Sequence, residues 1–293
     1  MALQLSGTAD TALQPHGSGW HGRLELRYGV EDARSVARFR HQGPLRVLQS
    51  LYPEGDRICH NVLVHPPGGL VGGDVLDIDI EVAPQSHGLI TTPGATRFYR
   101  TVQGQATQQV HARLHDDSRL EWLPLETLAY HQCDGVNRAV FSLAPRAELL
   151  AWDITALGLP AAGQPFAQGR LQQHFEITDA WLERGCIEGS DALLLDGPLG
   201  LDGHRCLGTL VFARGSAWPS QAREQLLDIA RAHLPAPGGE VVAGVTAAHP
   251  RVIVLRTLSA LVEPTQTLLR AVWLAWRQAQ WQLDGAAPRI WSM

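Results

Sequence analysis

The segment His65-Pro66-Pro67-Gly68-Gly69-Leu70-Val71-Gly72-Gly73-Asp74 packs two prolines and four glycines into ten residues and ends in a carboxylate. Such a composition demands a fixed, tight backbone path with φ values open only to glycine. A phosphate-binding loop is the first chemistry it suggests. The spacing, however, is GGxxGG rather than GxGxxG, no lysine follows, and Asp74 would repel an anion. The segment reads better as a structural turn that presents Asp74 at its end.

Other residues could bind cations. Asp77, Asp79 and Glu81 alternate with Leu76, Ile78, Ile80 and Val82, which makes a strand with one apolar and one acidic face. Neighbouring carboxylates on that face stand ~6.5–7 Å apart, too wide to share a cation without further ligands, so a solvated face is the first reading. Attraction for a basic partner is the second. Thirteen histidines and the cysteines Cys59, Cys133, Cys186 and Cys206 invite a metal reading. His111 and His115 would lie ~13 Å apart on one strand face and cannot chelate together. Cys59 and His60 point to opposite faces, and only His131 and Cys133, beside a possible turn at Asp134-Gly135, could converge. None of these has the spacing of a closed zinc site. There is no GxSxG elbow and no HExxH helix, while paired carboxylates such as Glu121 and Glu126 could in principle serve glycoside hydrolysis.

Composition narrows the choice. All 24 basic residues are arginine, which excludes a P-loop lysine and Schiff-base chemistry. Net charge is −5 and the arginines are dispersed, which argues against nucleic acid. The cysteines form no CxxC pair, as expected in a reducing compartment. No signal peptide and no 18-residue apolar run is visible, so a cytoplasmic protein without a membrane span is expected. With 45% hydrophobic and 18% charged residues the chain belongs among globular proteins.

The elements that must position these residues are mostly strands. Residues 1–19 read as a mobile tail and 20–293 as one domain of mainly β architecture. Leu24, Leu26 and Tyr28 alternate with Glu25 and Arg27, and similar strands are expected near 35–40, 57–65, 74–82, 87–92, 97–102, 106–115 and 118–123. More follow near 138–143, 147–154, 170–177, 191–195 and 206–213, so residues to about 215 are almost entirely β. Two helices are expected, near 219–234 (Pro219 at its start, Pro235 as its stop) and near 265–283, with two strands around 240–247 and 251–258 between them.

Several stretches, taken in order, resemble the UreD family of urease accessory proteins. Cys59-His60 leading into HPPGGLVGGD (65–74) carries the most specific part, followed by TTPGATRFYR (91–100), with Tyr99 and Arg100, and LEWLPLET (120–127). AWDITALGLPAAGQPF (151–166), WLERG (181–185) and PRIW (288–291) complete a resemblance that covers the chain from about Arg23 to its end. Arg97 stands where the family often has lysine, Leu125 where glutamine is common, and Leu159 where arginine is frequent. The polar roles of the last two positions do not carry over.

The resemblance implies a β-helix-like or layered β-sheet fold with two α-helices in its C-terminal part, and no catalysis. It further implies a maturation factor that joins UreF and the GTPase UreG to urease apoprotein and assists nickel insertion, with nickel bound only in transit. Nickel(II) is held tightly by imidazole and thiolate, so a passage should offer carboxylate, water and carbonyl ligands. Asp74, Asp153 and Glu183, with His65 at the head of the first block, are the expected passage-lining groups. The alternative is that these acids form ion pairs with arginines such as Arg184 or Arg100. Trp276 and Trp281 of the last helix are expected at a partner surface, because Trp273, Trp276 and Trp281 exceed what one helix face easily buries. Two other functions stay open: an adaptor that never touches nickel, and a carbohydrate-active β enzyme.

Overall fold

Alternation dictates strands with one dry face, and the first strand shows it: Leu24, Leu26 and Tyr28 are buried while Arg23 and Arg27 are exposed. The structure, a computed structural model, describes residues 19–285 and 287–292. The expected tail at 1–19 lies outside the described residues except for Gly19. In chain order the strands begin with β1 (His21–Glu31), β2 (Arg34–Gln42), β3 (Arg46–Leu51), β4 (Cys59–Val64), β5 (Val75–Val82) and β6 (His87–Thr91). There follow β7 (Thr96–Phe98), β8 (Ala106–Leu114), β9 (Arg119–Leu123), β10 (Thr127–Ala129), β11 (Asp134–Leu143) and β12 (Glu148–Leu159). Next come β13 (Gln164–Pro165), β14 (Arg170–Ile177), β15 (Trp181–Glu188), α1 (Ala192–Asp196) and β16 (Cys206–Arg214). The chain closes with α2 (Ser220–His233), β17 (Val241–His249), β18 (Val252–Ser259) and α3 (Val262–Trp281).

The strands form two sheets. A seven-stranded sheet has the order β15-β14-β11-β8-β5-β1-β2, and an eleven-stranded one has the main path β17-β18-β16-β12-β9-β6-β4-β3. From β4 to β14 the chain alternates between them, and each new strand pairs in parallel with the strand one turn earlier: β5, β8, β11 and β14 in the smaller sheet, β4, β6, β9 and β12 in the larger. The result is a β-solenoid-like stack of about four turns, in agreement with the expected mainly β, β-helix-like or layered architecture. Antiparallel strands close both ends: β2 and β15 flank the smaller sheet, and β3 and β16-β18-β17 flank the larger. The short strand β10 runs beside the C-terminal half of β12, and β7 pairs with β10 in turn, which widens the larger sheet there.

Two cores result. One fills the space between the sheets, with Leu26, Ile78, Val110, Phe141, Leu149 and Leu171 among its members. The other lies between the outer face of the larger sheet and the helices α2 and α3. Here the expectation that Trp276 and Trp281 form a partner surface is corrected. Trp276 is 0% exposed and donates its indole N–H to the Leu226 carbonyl at 2.8 Å; Trp281 is 6% exposed and donates to Glu148 at 2.7 Å. Three indoles exceed one helix face only if that face meets nothing large, and α3 lies across a wide sheet that accepts them all.

Other corrections concern short elements. Residues 191–195, expected as a strand, begin α1, because the Asp191 carboxylate accepts the Leu194 N–H and caps a helical turn. The described residues thus contain three α-helices rather than two, and the last one starts at Val262 and ends at Trp281 rather than spanning 265–283. β3, β10, β13 and β15 were not expected. In β3 a register shift between Val47 and Ser50 breaks the alternation that would have revealed it.

Candidate functional site

Inward positions of a sheet core are normally apolar, since an unpaired buried polar group costs free energy. Three strands of the smaller sheet break that rule at one level. Gln108 of β8, Asn137 of β11 and Gln173 of β14 are direct neighbours in register, so three amides stand side by side across three turns. The larger sheet answers with hydroxyls: Thr96 of β7, Thr127 of β10 and Thr155 of β12 are likewise in register. Two residues earlier on β12, Asp153 pairs in register with Thr209 of β16, which in turn pairs with Arg256 of β18.

The facing rows bond to each other. Asn137 donates to Asp153 at 2.9 Å, and Gln173 donates to Asp153 at 3.0 Å and to Thr155 at 2.7 Å. Thr155 also donates to Asp153 at 3.2 Å, and Gln108 donates to Asn137 at 3.3 Å. Glu183 of β15 reaches the same space, accepting from Thr209 at 3.5 Å and from both Nε and Nη2 of Arg256 at 2.9 and 2.8 Å. Asp153, Asn137, Gln173, Gln108, Thr209 and Glu183, with Thr96, Thr127, His174, Trp122 and Trp152, border a cavity of about 50 Å³. That is room for about three or four water molecules beside polar partners. A second cavity of about 200 Å³, lined by His65, Gly68, Gly69 and Thr92, shares Thr96 and Gln108 with the first. The two cavities thus meet at those two side chains, one reaching the glycine-rich loop and the other Glu183.

Electrostatics single out Asp153. Burial between the sheets pushes its carboxyl up to about 6; the bonds from Thr155, Asn137 and Gln173 oppose that shift, and the nearby Glu183 charge adds to it. This carboxyl therefore titrates nearer neutrality than an ordinary aspartate. His65 is held below its ordinary value by burial, against a smaller upward pull from Asp74.

The structure thus brings Asp153 and Glu183 into one cavity and His65 into the adjoining one. Asp74 plays a different part. Its two carboxylate oxygens accept the backbone N–H groups of Trp20 and Val71 at 2.8 and 2.9 Å, which closes the glycine-rich turn. The alternative pairing with Arg184 or Arg100 is not found for these acids; Glu183 pairs with Arg256 instead. In the loop itself, Gly68 and Gly73 take positive φ, and Gly69 lies so close to Tyr99 that a Cβ would sit 2.3 Å from its ring. Pro66 and Pro67 lead into this turn, whose Leu70 exchanges backbone bonds with Arg97 and Tyr99. Tyr99 and Arg100 border a separate pocket with Tyr130 and His131. His131 is exposed and Cys133 buried, so that pair does not converge. Glu121 sits on the helix side of the larger sheet, fully buried and bonded to His87 and Trp273. Among the described residues no three His, Cys, Asp or Glu side chains gather closely enough to hold a metal ion.

Sequence reading missed Gln108, Asn137, Gln173, Thr96, Thr127, Thr155, Thr209 and Arg256. A signal existed: Gln108 falls on the inward parity of Ala106, Val110 and Ala112, and Gln173 on that of Leu171 and Phe175.

The blocks that carry the resemblance converge on this region. LEWLPLET supplies Trp122 and Thr127, AWDIT supplies Asp153 and Thr155, and WLERG supplies Glu183. Trp291 of the terminal PRIW donates to Thr91 at 2.7 Å and packs on Trp152, behind the cavity wall. Comparison with known proteins agrees: residues 21–292 match the family described as UreD urease accessory protein. The urease accessory protein UreD of Paracidovorax citrulli is 58% identical over 274 residues, covering 94% of this chain and 99% of that protein. The urease accessory protein UreD of Variovorax paradoxus is 56% identical over 273 residues, covering 93% and 99%. That of a Polaromonas species is 53% identical over 274 residues, covering 94% and 99%.

Proposed function

The chain belongs to the UreD family of urease accessory proteins, and we propose that it is a non-catalytic urease maturation factor that lets nickel(II) pass between its two sheets. The observation that carries this reading is the convergence of Asp153 and Glu183 on one narrow polar cavity whose other polar walls are amides, hydroxyls and one imidazole, that of His174, which Glu176 engages at 2.6 Å. Amide and hydroxyl oxygens bind nickel weakly and exchange it quickly, while two carboxylates supply the charge that makes entry favourable. Thiolates would hold the ion too firmly to hand it on. The buried Cys133 and Cys206 thiols are pushed up to about 12 and about 11 and stay protonated.

In this reading the chain is one station of an assembly. UreF docks on it, UreG joins through UreF and supplies the GTP chemistry that a lysine-free chain cannot, and urease apoprotein receives the ion. Nickel is cargo, bound in transit at Asp153 and Glu183, with His65 in the adjoining cavity. Asp74 acts indirectly, by closing the turn that shapes that cavity. No described helix is long and apolar enough to cross a membrane, and the cytoplasm is the proposed compartment.

The test is co-expression of urease and its accessory proteins with Asp153→Asn, Glu183→Gln and the double variant. The expected result is normal capture of UreF and urease by each variant, with nickel per urease active site falling several-fold in the double variant. Full nickel content in the double variant would overturn the passage and leave an adaptor that reshapes urease without touching the ion.

A further inference from the structure

We propose that a basic groove on the helix-bearing side of the larger sheet is a docking site for a short acidic segment of another protein chain. It lies on the opposite face of that sheet from the polar cavity, so it does not depend on the passage. Its floor is one rung in register across four strands: His87 of β6, Arg119 of β9, Glu148 of β12 and Arg214 of β16. Arg57 and Arg146 stand on its walls, and the end of α3 contributes Trp281. The groove measures about 640 Å³, the scale of a site for a few residues of chain.

Charge identifies the occupant. Four guanidiniums line the groove against two carboxylates, Asp117 and Glu148, which leaves two positive charges in surplus on a chain of net charge −5. The carboxylates are already in use. Asp117 takes both prongs of Arg146, while Glu148 is shared by Arg119, Arg214 and the Trp281 indole. Among the described residues Arg119, Arg146 and Arg214 each have a carboxylate partner, whereas Arg57 has no ion pair. Guanidinium forks match carboxylates in geometry as well as charge. A small free anion would need these donors to converge in a closed nest, whereas this groove is open and partly apolar, with the exposed Val30 and the half-buried Leu283 among its lining residues. That lining suits a peptide carrying two or more carboxylates beside an aliphatic side chain.

Fluorescence polarisation on the full-length chain tests the proposal, with a fluorescein-labelled octapeptide of alternating glutamate and leucine as probe and its arginine–leucine counterpart as reference. The acidic probe should bind saturably, and its affinity should fall roughly tenfold between about 50 mM and about 300 mM salt. Arg57 is exposed and its side chain packs in no core, so Arg57→Glu should fold normally, as thermal melting will show, and weaken binding roughly tenfold. Arg40→Glu, on β2 of the other sheet, should change affinity by less than about twofold. Failure of the acidic probe to saturate, or equal binding of the basic peptide, overturns the proposal. So does an equal loss in Arg40→Glu, or complete displacement by inorganic phosphate at matched ionic strength, which would make this a small-anion site.

Discussion

Asn137 of β11 and Asp153 of β12 face each other across the two sheets, joined by a 2.9 Å hydrogen bond from the amide Nδ2 to the carboxylate Oδ1. One residue belongs to each wall of the cavity, so this bond ties the solenoid's two faces together at the point where its core is polar. Asp153 also accepts from Thr155 and Gln173. Its ionised form is therefore hydrogen-bonded yet poorly solvated, and burial wins, placing the carboxyl at about 6.

A pH dependence follows from that balance. A carboxyl raised from 3.8 to about 6 binds its proton more tightly in the native state than in the unfolded chain. Its contribution to stability is complete at pH below the unfolded value and is lost as pH rises through about 6, an effect of up to about 3 kcal/mol. Asp153→Asn keeps the shape and removes the titration. Urea unfolding of both proteins at several values between about pH 4 and about pH 7 should show wild type losing stability relative to the variant as pH rises. Parallel curves would show that Asp153 is not held up by burial.

Glu183 and Arg256 form a partly exposed pair at the other end of the cavity. Exposed pairs contribute about 0–1 kcal/mol, so Arg256→Ala should leave stability within about 1 kcal/mol. It should also leave nickel loading of co-expressed urease intact, because the carboxylate remains and becomes freer. Glu183→Ala should lower loading. Equal losses in both variants would mean that the ion pair itself, rather than the carboxylate, is required.

The helix α3 is a structural clamp. Arg277, 0% exposed, donates to both oxygens of Glu54 at 3.0 and 2.9 Å and lies 3.1 Å from Glu121, which also accepts from Trp273 and bonds His87. Arg277→Ala would strand two buried carboxylates and should cost about 3–5 kcal/mol. Trp276→Ala should cost a similar amount, about 3–5 kcal/mol, by opening a cavity in the helix-side core. Denaturant unfolding checks both, with exposed Trp20→Ala as the near-neutral control. Loss of partner capture by a Trp276→Ala protein of unchanged stability would restore that residue to an interface.

Thiol reagents give an independent check on the metal ligands. Cys59, Cys133 and Cys206 are buried and Cys186 is exposed. Native protein should therefore modify at Cys186 alone, and all four residues only after unfolding. Replacing the four cysteines by serine should cost modest stability and leave nickel transfer in place. A cysteine-free chain that assembles normally but delivers no nickel would move the route from carboxylates to thiols.

Much of this protein was determined by its sequence alone. Period-two alternation sets which face of its own strand a residue takes, which is why most strands and the dry faces of β1 and β5 could be read directly. The absence of lysine ruled out whole classes of chemistry, and the glycine-rich loop announced a constrained turn that ends at Asp74. Tertiary structure decided which polar residues meet. Gln108 and Asn137 are 29 residues apart, and they stand side by side only because each solenoid turn returns the chain one strand further along, in register. That register depends on the length and path of every loop between the strands, which local periodicity does not encode. The same reason explains the tryptophans of α3. Their spacing defines a helix face, but whether that face meets a partner or the chain's own sheet depends on how far the larger sheet extends past the smaller one. Here it extends through β16, β18 and β17, and the indoles are buried against it.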